Sequence, residues 1–313
     1  MQRSAGPAVY ARYVLDLLAR GDDVELVDGR ARGRADVLLS LDGRVRTGRG
    51  RRTVTAVLDL GHLFERRGYR PAEWLAQNWR VASAVRRSDG VLAPSQAVAY
   101  GLERYLRAPA ERVTVLAPQP RPCFRRAARE YVGAARRSLG LPERYLLFVG
   151  TRSRRKNLGL LALAWRAASE RLGGGVSLVL AGPGPGGGVS GALDIGYVPL
   201  ELLPALISGA VAWVNPSLYE GCAVGALEAM ACGAPVLVAG TGAQARAVGM
   251  AGVVLDPHDA AGWADAMVAV ATDEALRARL GVSSLKAAAE VREQRPRAEE
   301  LLAALCGEGA AAR

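Results

Sequence analysis

Lysine is almost missing from this chain: Lys156 and Lys286 are the only two, and the rest of its 41 basic residues are arginines. Aromatics make up 5% of the sequence. That argues against an all-β sandwich and against a stacking platform for single-stranded nucleic acid. The arginines are scattered through helical and loop-like stretches. The formal charge of +11 and pI near 10.1 therefore do not describe the clustered basic stripe of a nucleic-acid binder. What remains is a basic surface, suited to an anionic membrane face or a phosphorylated substrate. Four cysteines (Cys123, Cys222, Cys232, Cys306) show neither CxxC spacing nor the density of a disulfide scaffold. Free thiols in a reducing cytoplasm are the expectation. The sequence has no uncharged apolar run long enough to cross a bilayer and no signal-peptide core near Met1. A cytoplasmic protein, with peripheral contact at the inner membrane face as its closest approach to lipid, fits these absences.

What is present is half hydrophobic and rich in Ala, Leu, Val and Gly, over 313 residues. That composition suits helices packed on parallel sheets, with enough chain for two domains. An α/β domain ordinarily opens on a buried strand, but this chain opens on a loop running into a helix. Tyr10, Tyr13, Val14, Leu17 and Leu18 recur there at helical spacing, and Gly21 ends the helix. The first strand is missing from the expected pattern. Short apolar runs at 24–27, 35–41 and 53–60 read as buried parallel strands, with the arginine-rich stretch 42–52 as a solvated loop. A helix over 73–87, a strand at 90–94, a helix over 96–106 capped by Ser95 and a strand at 113–117 follow.

The stretch 117–126, APQPRPCFRR, packs three prolines into five residues and can continue neither helix nor central strand. The expected organisation places an N-terminal domain at 1–122, a C-terminal domain at 123–295 and a terminal helix and tail at 296–313. The second domain alternates again: strands at 145–150, 176–181, 193–198, 210–214, 235–238 and 252–255, with helices at 158–172, 200–207, 260–271 and 274–280 between or after them. GPGPGGG at 182–188 reads as a flexible link, and 296–305 as a last helix.

The chemistry gathers around residues 210–240. A buried strand ends in Asn215-Pro216-Ser217, a loop carries Glu220, and a small-residue helix carries Glu228. In open parallel sheets, ligands bind at the carboxyl ends of strands, where helix N-termini point free amides at anions. Two glutamates eight apart are ordinary surface residues in most chains. Here Gly221 and Gly225 let backbone approach a ligand, and amides near Val224 could hold a diphosphate. A helix carboxylate could take both hydroxyls of a ribose, and the loop glutamate could take sugar hydroxyls. Lys156 sits in GTRSRRKN with Arg152, Arg154 and Arg155, after a strand ending at Gly150 and before a helix, where phosphate binds favourably. Together these residues describe a nucleotide-sugar pocket in which Lys156 counters the charge of a leaving diphosphate.

The segments PSLYEG and LEAMACGAPVLV resemble the donor-site signature of retaining glycosyltransferase family 4, the group 1 glycosyltransferases, with its Glu-x7-Glu pair at Glu220 and Glu228. FVGTRSRRKNL, LVLAGPG, IGYVPLELLPAL and VVLDPHDAAGWADAM are similar to further segments of that family's C-terminal domain. AGPAVYARYVLDLL, TAVLDL, GVLAPSQAV and RVTVLAPQPRPCFR match the N-terminal half more loosely.

The resemblance implies a GT-B fold, two Rossmann-like doubly wound domains facing a cleft, and transfer of a sugar from a nucleotide-diphosphate sugar with retention and without a bound metal or other cofactor. The acceptor would be a saccharide, a lipid-linked carrier or a small metabolite. By that likeness Glu220 contacts the sugar, Glu228 the ribose and Lys156 the diphosphate, with Arg152 or Arg155 as a second cation. Gly150, Gly221, Cys222, Ala223, Val224 and Gly225 would line the donor site, with Gly6 from the reduced glycine loop Gly6-Pro7-Ala8. Asp59 would remain from a His-Asp pair whose histidine position holds Leu58, with His62 four residues on as a candidate substitute. Ala223 stands where the family has a glycine, which removes the cheap route to a positive φ there.

Overall fold

A computed structural model describes residues 6–22, 24–27, 34–44, 50–66, 70–184 and 188–307. The chain divides into two compact units, residues 1–119 with 295–313, and residues 120–294. The junction lies between Gln119 and Pro120, inside the proline-rich stretch, and the end of the chain belongs to the first unit.

Among the described residues, the first unit has four parallel strands in the order β1 (Ala35–Ser40), β2 (Gly50–Ala56), β3 (Gly90–Ala93), β4 (Val113–Val115). β3 is buried along its whole length, as the short unbroken run Gly-Val-Leu-Ala predicts for an inner parallel strand. Helix α1 (Gly6–Leu18) buries Tyr10, Val14, Leu17 and Leu18, and Tyr10 donates its hydroxyl to the Leu116 carbonyl at 3.0 Å. After β2 come the short α2 (Gly61–Phe64) and the long α3 (Pro71–Arg87); α4 (Gln96–Leu106) joins β3 to β4. Ser95 caps α4 by accepting from the Val98 amide at 3.2 Å. The terminal helix α12 (Ala298–Cys306) packs on α1 and β1 and buries Leu301 and Leu305.

Two expectations fail here. Residues 24–27 form no strand, and Leu26 and Val27 are exposed. An apolar run becomes a strand only beside a partner ladder, and among the described residues no strand pairs with it. The stretch 42–52 is not all loop, since β2 begins at Gly50 (residues 45–49 lie outside those described). Its pairing with β1 starts at Ala35 opposite Gly50, where a side chain would collide with Leu38.

Among the described residues, the second unit holds six parallel strands in the order β10-β9-β8-β5-β6-β7. In chain order they are β5 (Tyr145–Val149), β6 (Ser177–Ala181), β7 (Leu193–Gly196), β8 (Ala212–Asn215), β9 (Val236–Ala239) and β10 (Val253–Leu255). The central strands are buried on both faces. One face carries Phe148, Trp165, Leu180 and Trp263, the other Tyr145, Leu147, Trp213 and Met230. The helices are α5 (Arg129–Ser138), α6 (Leu158–Leu172), α7 (Leu203–Ser208), α8 (Val224–Ala231), α9 (Gln244–Val248), α10 (Ala260–Thr272) and α11 (Glu274–Glu293). α6 occupies the expected 158–172. α11 runs to Glu293 where the sequence reading stops at 280, because it stays helical while burying little besides Leu280, Ser284 and Ala288. Of the expected link at 182–188, residues 185–187 lie outside those described. Among the described residues, no helix is long and apolar enough to cross a membrane.

Both sheets are parallel and flanked by helices, the doubly wound α/β architecture the alternation predicts. In the second unit the chain starts at β5 and builds outward to β6 and β7 on one side, then crosses to β8, β9 and β10 on the other. The reversal point lies between β5 and β8. In open parallel sheets ligands bind outside the carboxyl ends of the strands at such a reversal.

Candidate functional site

The loop after β5 delivers Lys156 and the loop after β8 delivers Glu220, so the switch point brings together residues 64 positions apart. β5 ends at Val149, and the Gly150 amide donates to the Ala181 carbonyl at 2.9 Å. Residues Arg154–Lys156 make a single 3-10 turn, and Asn157 takes a left-handed φ of 55° before α6 begins. Asparagine tolerates that backbone, and its side-chain amide donates to the Pro257 carbonyl at 2.9 Å. This fixed turn aims Lys156 at the loop that follows β8. Its Nζ donates to Glu220 Oε1 at 2.5 Å, and Arg155 Nη1 lies 2.9 Å from Glu220 Oε2. The Leu218 amide donates to the Arg155 carbonyl at 2.8 Å, tying the two loops by backbone as well.

Burial alone would push the Glu220 carboxyl upward. The charges of Lys156 and Arg155 overcome it and hold the carboxyl at about 2. Glu220 is thus an anion under any physiological condition. Its carbonyl accepts from the Ala243 amide at 2.7 Å, and a Cβ on Gly242 would fall 2.4 Å from that oxygen. The glutamate therefore sits in a loop clamped on both sides.

Arg152 goes elsewhere. Its Nη2 lies 2.6 Å from Asp194 Oδ1 in β7, and its guanidinium lies over the Phe148 ring. The second cation beside Lys156 and Glu220 is Arg155, and Arg152 is not part of that group.

Beyond Glu220, Gly221 is buried and Cys222 half-buried, and Ala223 adopts φ 48° and ψ 20° at the start of α8. The positive φ expected to be lost with glycine is therefore kept, on a residue whose Cβ opposes it. Gly225 supplies no compensating freedom, for its φ is not positive. Its missing side chain instead lets α8 lie against Trp213, 3.2 Å from where a Cβ would stand. Val224 and Gly225 are the first residues of α8, whose amides have no carbonyl ahead of them within the helix.

Glu228 lies one turn further along α8 and is buried. It is not free in its pocket: Arg121 Nε donates to Oε1 at 2.5 Å and Nη2 to Oε2 at 3.1 Å. Burial raises the Glu228 carboxyl above the ordinary range, while Arg121 pulls against that shift. The sequence reading missed Arg121 altogether, treating its surroundings only as a chain breaker. The one available signal was a cation held between Pro120 and Pro122, where the backbone is stiff enough to present a side chain.

Gly6 and Asp59 belong to the first unit. Gly6 begins α1, and Asp59 Oδ1 accepts from the Gly61 amide at 2.5 Å, fixing the turn into α2. His62 in α2 is 1% exposed, and burial lowers its imidazole to about 4, so it is neutral at pH 7. Among the described residues there is no group of three or more His, Cys, Asp or Glu able to hold a metal ion.

With that geometry in hand, residues 143–273 match the family model of group 1 glycosyl transferases. The match lies wholly within the second unit. An Escherichia coli O-antigen chain mannosyltransferase B is 48% identical over 65 residues, 21% of this chain and 17% of that one. The D-inositol 3-phosphate glycosyltransferase of Salinispora arenicola is 35% identical over 169 residues, 47% of this chain and 38% of the relative. The enzyme of the same description from Stackebrandtia nassauensis is 31% identical over 231 residues, covering 66% of this chain and 51% of its own length. The chain thus spans about half or less of these curated relatives. Among solved structures, WaaG, a glycosyltransferase involved in lipopolysaccharide biosynthesis, superposes with TM-score 0.68 at 16% identity, over 96% of this chain and 95% of that one. Anabaena HepE in complex with UDP and glucose gives TM-score 0.63 at 18% identity, over 78% of this chain and 70% of that one. The fold is GT-B, and the second unit carries the Lys156–Glu220–Arg155 cluster at its switch point.

Proposed function

We propose that this protein is a retaining glycosyltransferase of family 4 type, moving a sugar from a nucleotide-diphosphate donor to an acceptor hydroxyl. The observation that carries this reading is the cluster of Lys156, Arg155 and Glu220 beside the N-terminus of α8, at the switch point where an α/β sheet binds its ligand. In this reading the diphosphate takes Lys156 and Arg155, with the amides of Val224 and Gly225, and Glu220 turns to the hydroxyls of the transferred sugar. Gly150 and Gly221 to Ala223 form the close-approaching backbone, and Glu228 holds the ribose. The bond from the sugar's anomeric carbon to the diphosphate breaks as the bond to the acceptor oxygen forms on the same face. The departing phosphate oxygen receives the acceptor's proton. Lys156 and Arg155 offset the charge growing on the diphosphate, a role that needs no bound metal, and chelation with EDTA should leave turnover unchanged.

The relatives' descriptions favour a polar acceptor, an inositol phosphate or an O-antigen chain, as the class to test first. A lipid-linked acceptor would bring the protein to the inner membrane face, where its excess of arginine meets anionic headgroups.

A second reading, a GT-B protein that binds nucleotide without transferring sugar, draws on the first unit. Leu58 stands where the resemblance expects histidine, and His62 is buried and neutral instead of replacing it. Incubation with a panel of nucleotide sugars and acceptors separates the two. Product formation lost in Glu220→Gln and Lys156→Met supports transfer. Tight nucleotide binding with no donor consumption supports the second reading, and no nucleotide binding defeats both.

A further inference from the structure

Glu228 is the carboxylate offered to the ribose, yet in this structure both of its oxygens already accept from one arginine. Arg121 grips them as a fork, at 2.5 and 3.1 Å, from a segment more than a hundred residues away in sequence. Such a pair fixes the plane of the carboxylate, which one helical side chain could not do alone. Each oxygen keeps a second lone pair for a hydroxyl. The guanidinium is itself held, lying 4.6 Å from the Phe124 ring centroid; Phe124 is fully buried, and its carbonyl accepts from Arg292 at 2.6 Å. Pro120 and Pro122 stiffen the backbone on either side of it.

We propose that Arg121 is the positioning residue of the nucleotide site: its fork orients the Glu228 carboxylate for the ribose hydroxyls. The proposal rests on the ribose reading of Glu228. Cys232 lies one turn along α8, with Cys123 and Arg292 beside it, and burial pushes the Cys232 thiol up to about 12, out of the range of interest. Without Arg121, burial acts on Glu228 unopposed and favours the protonated carboxyl, an effect that grows as pH falls.

The test is nucleotide affinity between pH 6 and 8.5, measured by calorimetry with UDP and GDP. It uses the full chain carrying Cys123→Ser, so that this thiol cannot contribute to the profile. The parent should bind with little pH dependence. Arg121→Met should bind at least tenfold more weakly at pH 6 and recover much of that loss by pH 8.5. Arg121→Lys, which keeps charge without the fork, should stay flat with pH but bind severalfold more weakly. It also serves if the methionine variant does not fold. Glu228→Gln tests the underlying reading separately. Affinity unchanged in Glu228→Gln removes the ribose assignment. Affinity lost there but flat and undiminished in Arg121→Met and Arg121→Lys overturns the positioning role alone. Tighter binding in Arg121→Met would mean that arginine and ribose compete for the carboxylate, and would equally overturn it.

Discussion

Lys156 and Glu220 meet at 2.5 Å between the loops that follow β5 and β8, and Arg155 closes on the other carboxylate oxygen at 2.9 Å. An ion pair in this setting is poor evidence of net stability, but breaking it from one side leaves uncompensated buried charge. The sign of its pH dependence follows from Glu220, whose folded value of about 2 lies below the 4.5 of a free glutamate. Its contribution is fully present above pH 4.5 and is lost as pH falls toward 2. Glu220→Gln should therefore lower stability at pH 7 by about 3 kcal/mol. The gap to the parent should narrow steadily below pH 4.5. Urea midpoints at pH 7, 5, 4 and 3.5 test this, and a gap independent of pH would contradict it.

Ala223 holds φ 48° where a glycine would rest without strain. A left-handed alanine costs about 1–2 kcal/mol, and glycine's added freedom in the unfolded chain takes back about 0.5–1 kcal/mol. Relief of strain wins. Ala223→Gly should raise the unfolding midpoint by an amount equivalent to up to about 1 kcal/mol. A fall in midpoint would show that the buried methyl contributes more through packing than the backbone loses.

The parallel sheets could be read from the chain because buried strands are short unbroken apolar runs, and 145–150 and 236–239 have few other possible structures. The Glu220–Lys156 meeting was readable for the same reason: strand-end loops converge wherever a sheet reverses its order. What could not be read depends on partners distant in sequence. Residues 24–27 look like a strand locally, but a strand exists only beside another. Arg152 and Arg155 are three apart in one loop, and only Asp194 and Glu220 decide which serves the site. Arg121 had no local pattern to announce it, because its meaning lies in Glu228. Ala223 shows a further limit: its identity argued against a positive φ, and the surrounding loop imposed one regardless.

Gly182 lies where the chain leaves β6, at φ 124°. A Cβ there would stand 2.2 Å from the Gly150 carbonyl oxygen, backbone that is itself bonded to β6 and cannot withdraw. Gly182→Ala should cost about 3 kcal/mol or more and displace the turn leading to Lys156. Gly140→Ala is the control, since its φ of 61° is also positive but nothing lies within 4 Å of the added Cβ. That change should cost only about 1 kcal/mol. Thermal melts of the two variants should differ by several degrees, and equal melting temperatures would show that the close approach to Gly150 is not rigid.

His62 gives the first unit its own acid sensitivity. The imidazole is 1% exposed, its Nε2 has no hydrogen-bond partner, and burial lowers it to about 4 from 6.5. Between those values the unfolded chain holds a proton that the folded one refuses, so stability rises with pH across that window. It is fully present above pH 6.5 and drains away as pH falls toward 4, by about 3 kcal/mol over the whole range. His62→Leu removes the titrating group and the orphaned nitrogen at nearly the same size. Amide hydrogen exchange at Val91 and Leu92, in the buried strand β3, reads the stability of this unit directly. Protection there should fall between pH 6.5 and 4.5 in the parent, after correction for intrinsic exchange, and stay nearly level in the variant. Parallel slopes in the two proteins would place the acid sensitivity of this unit on some group other than His62.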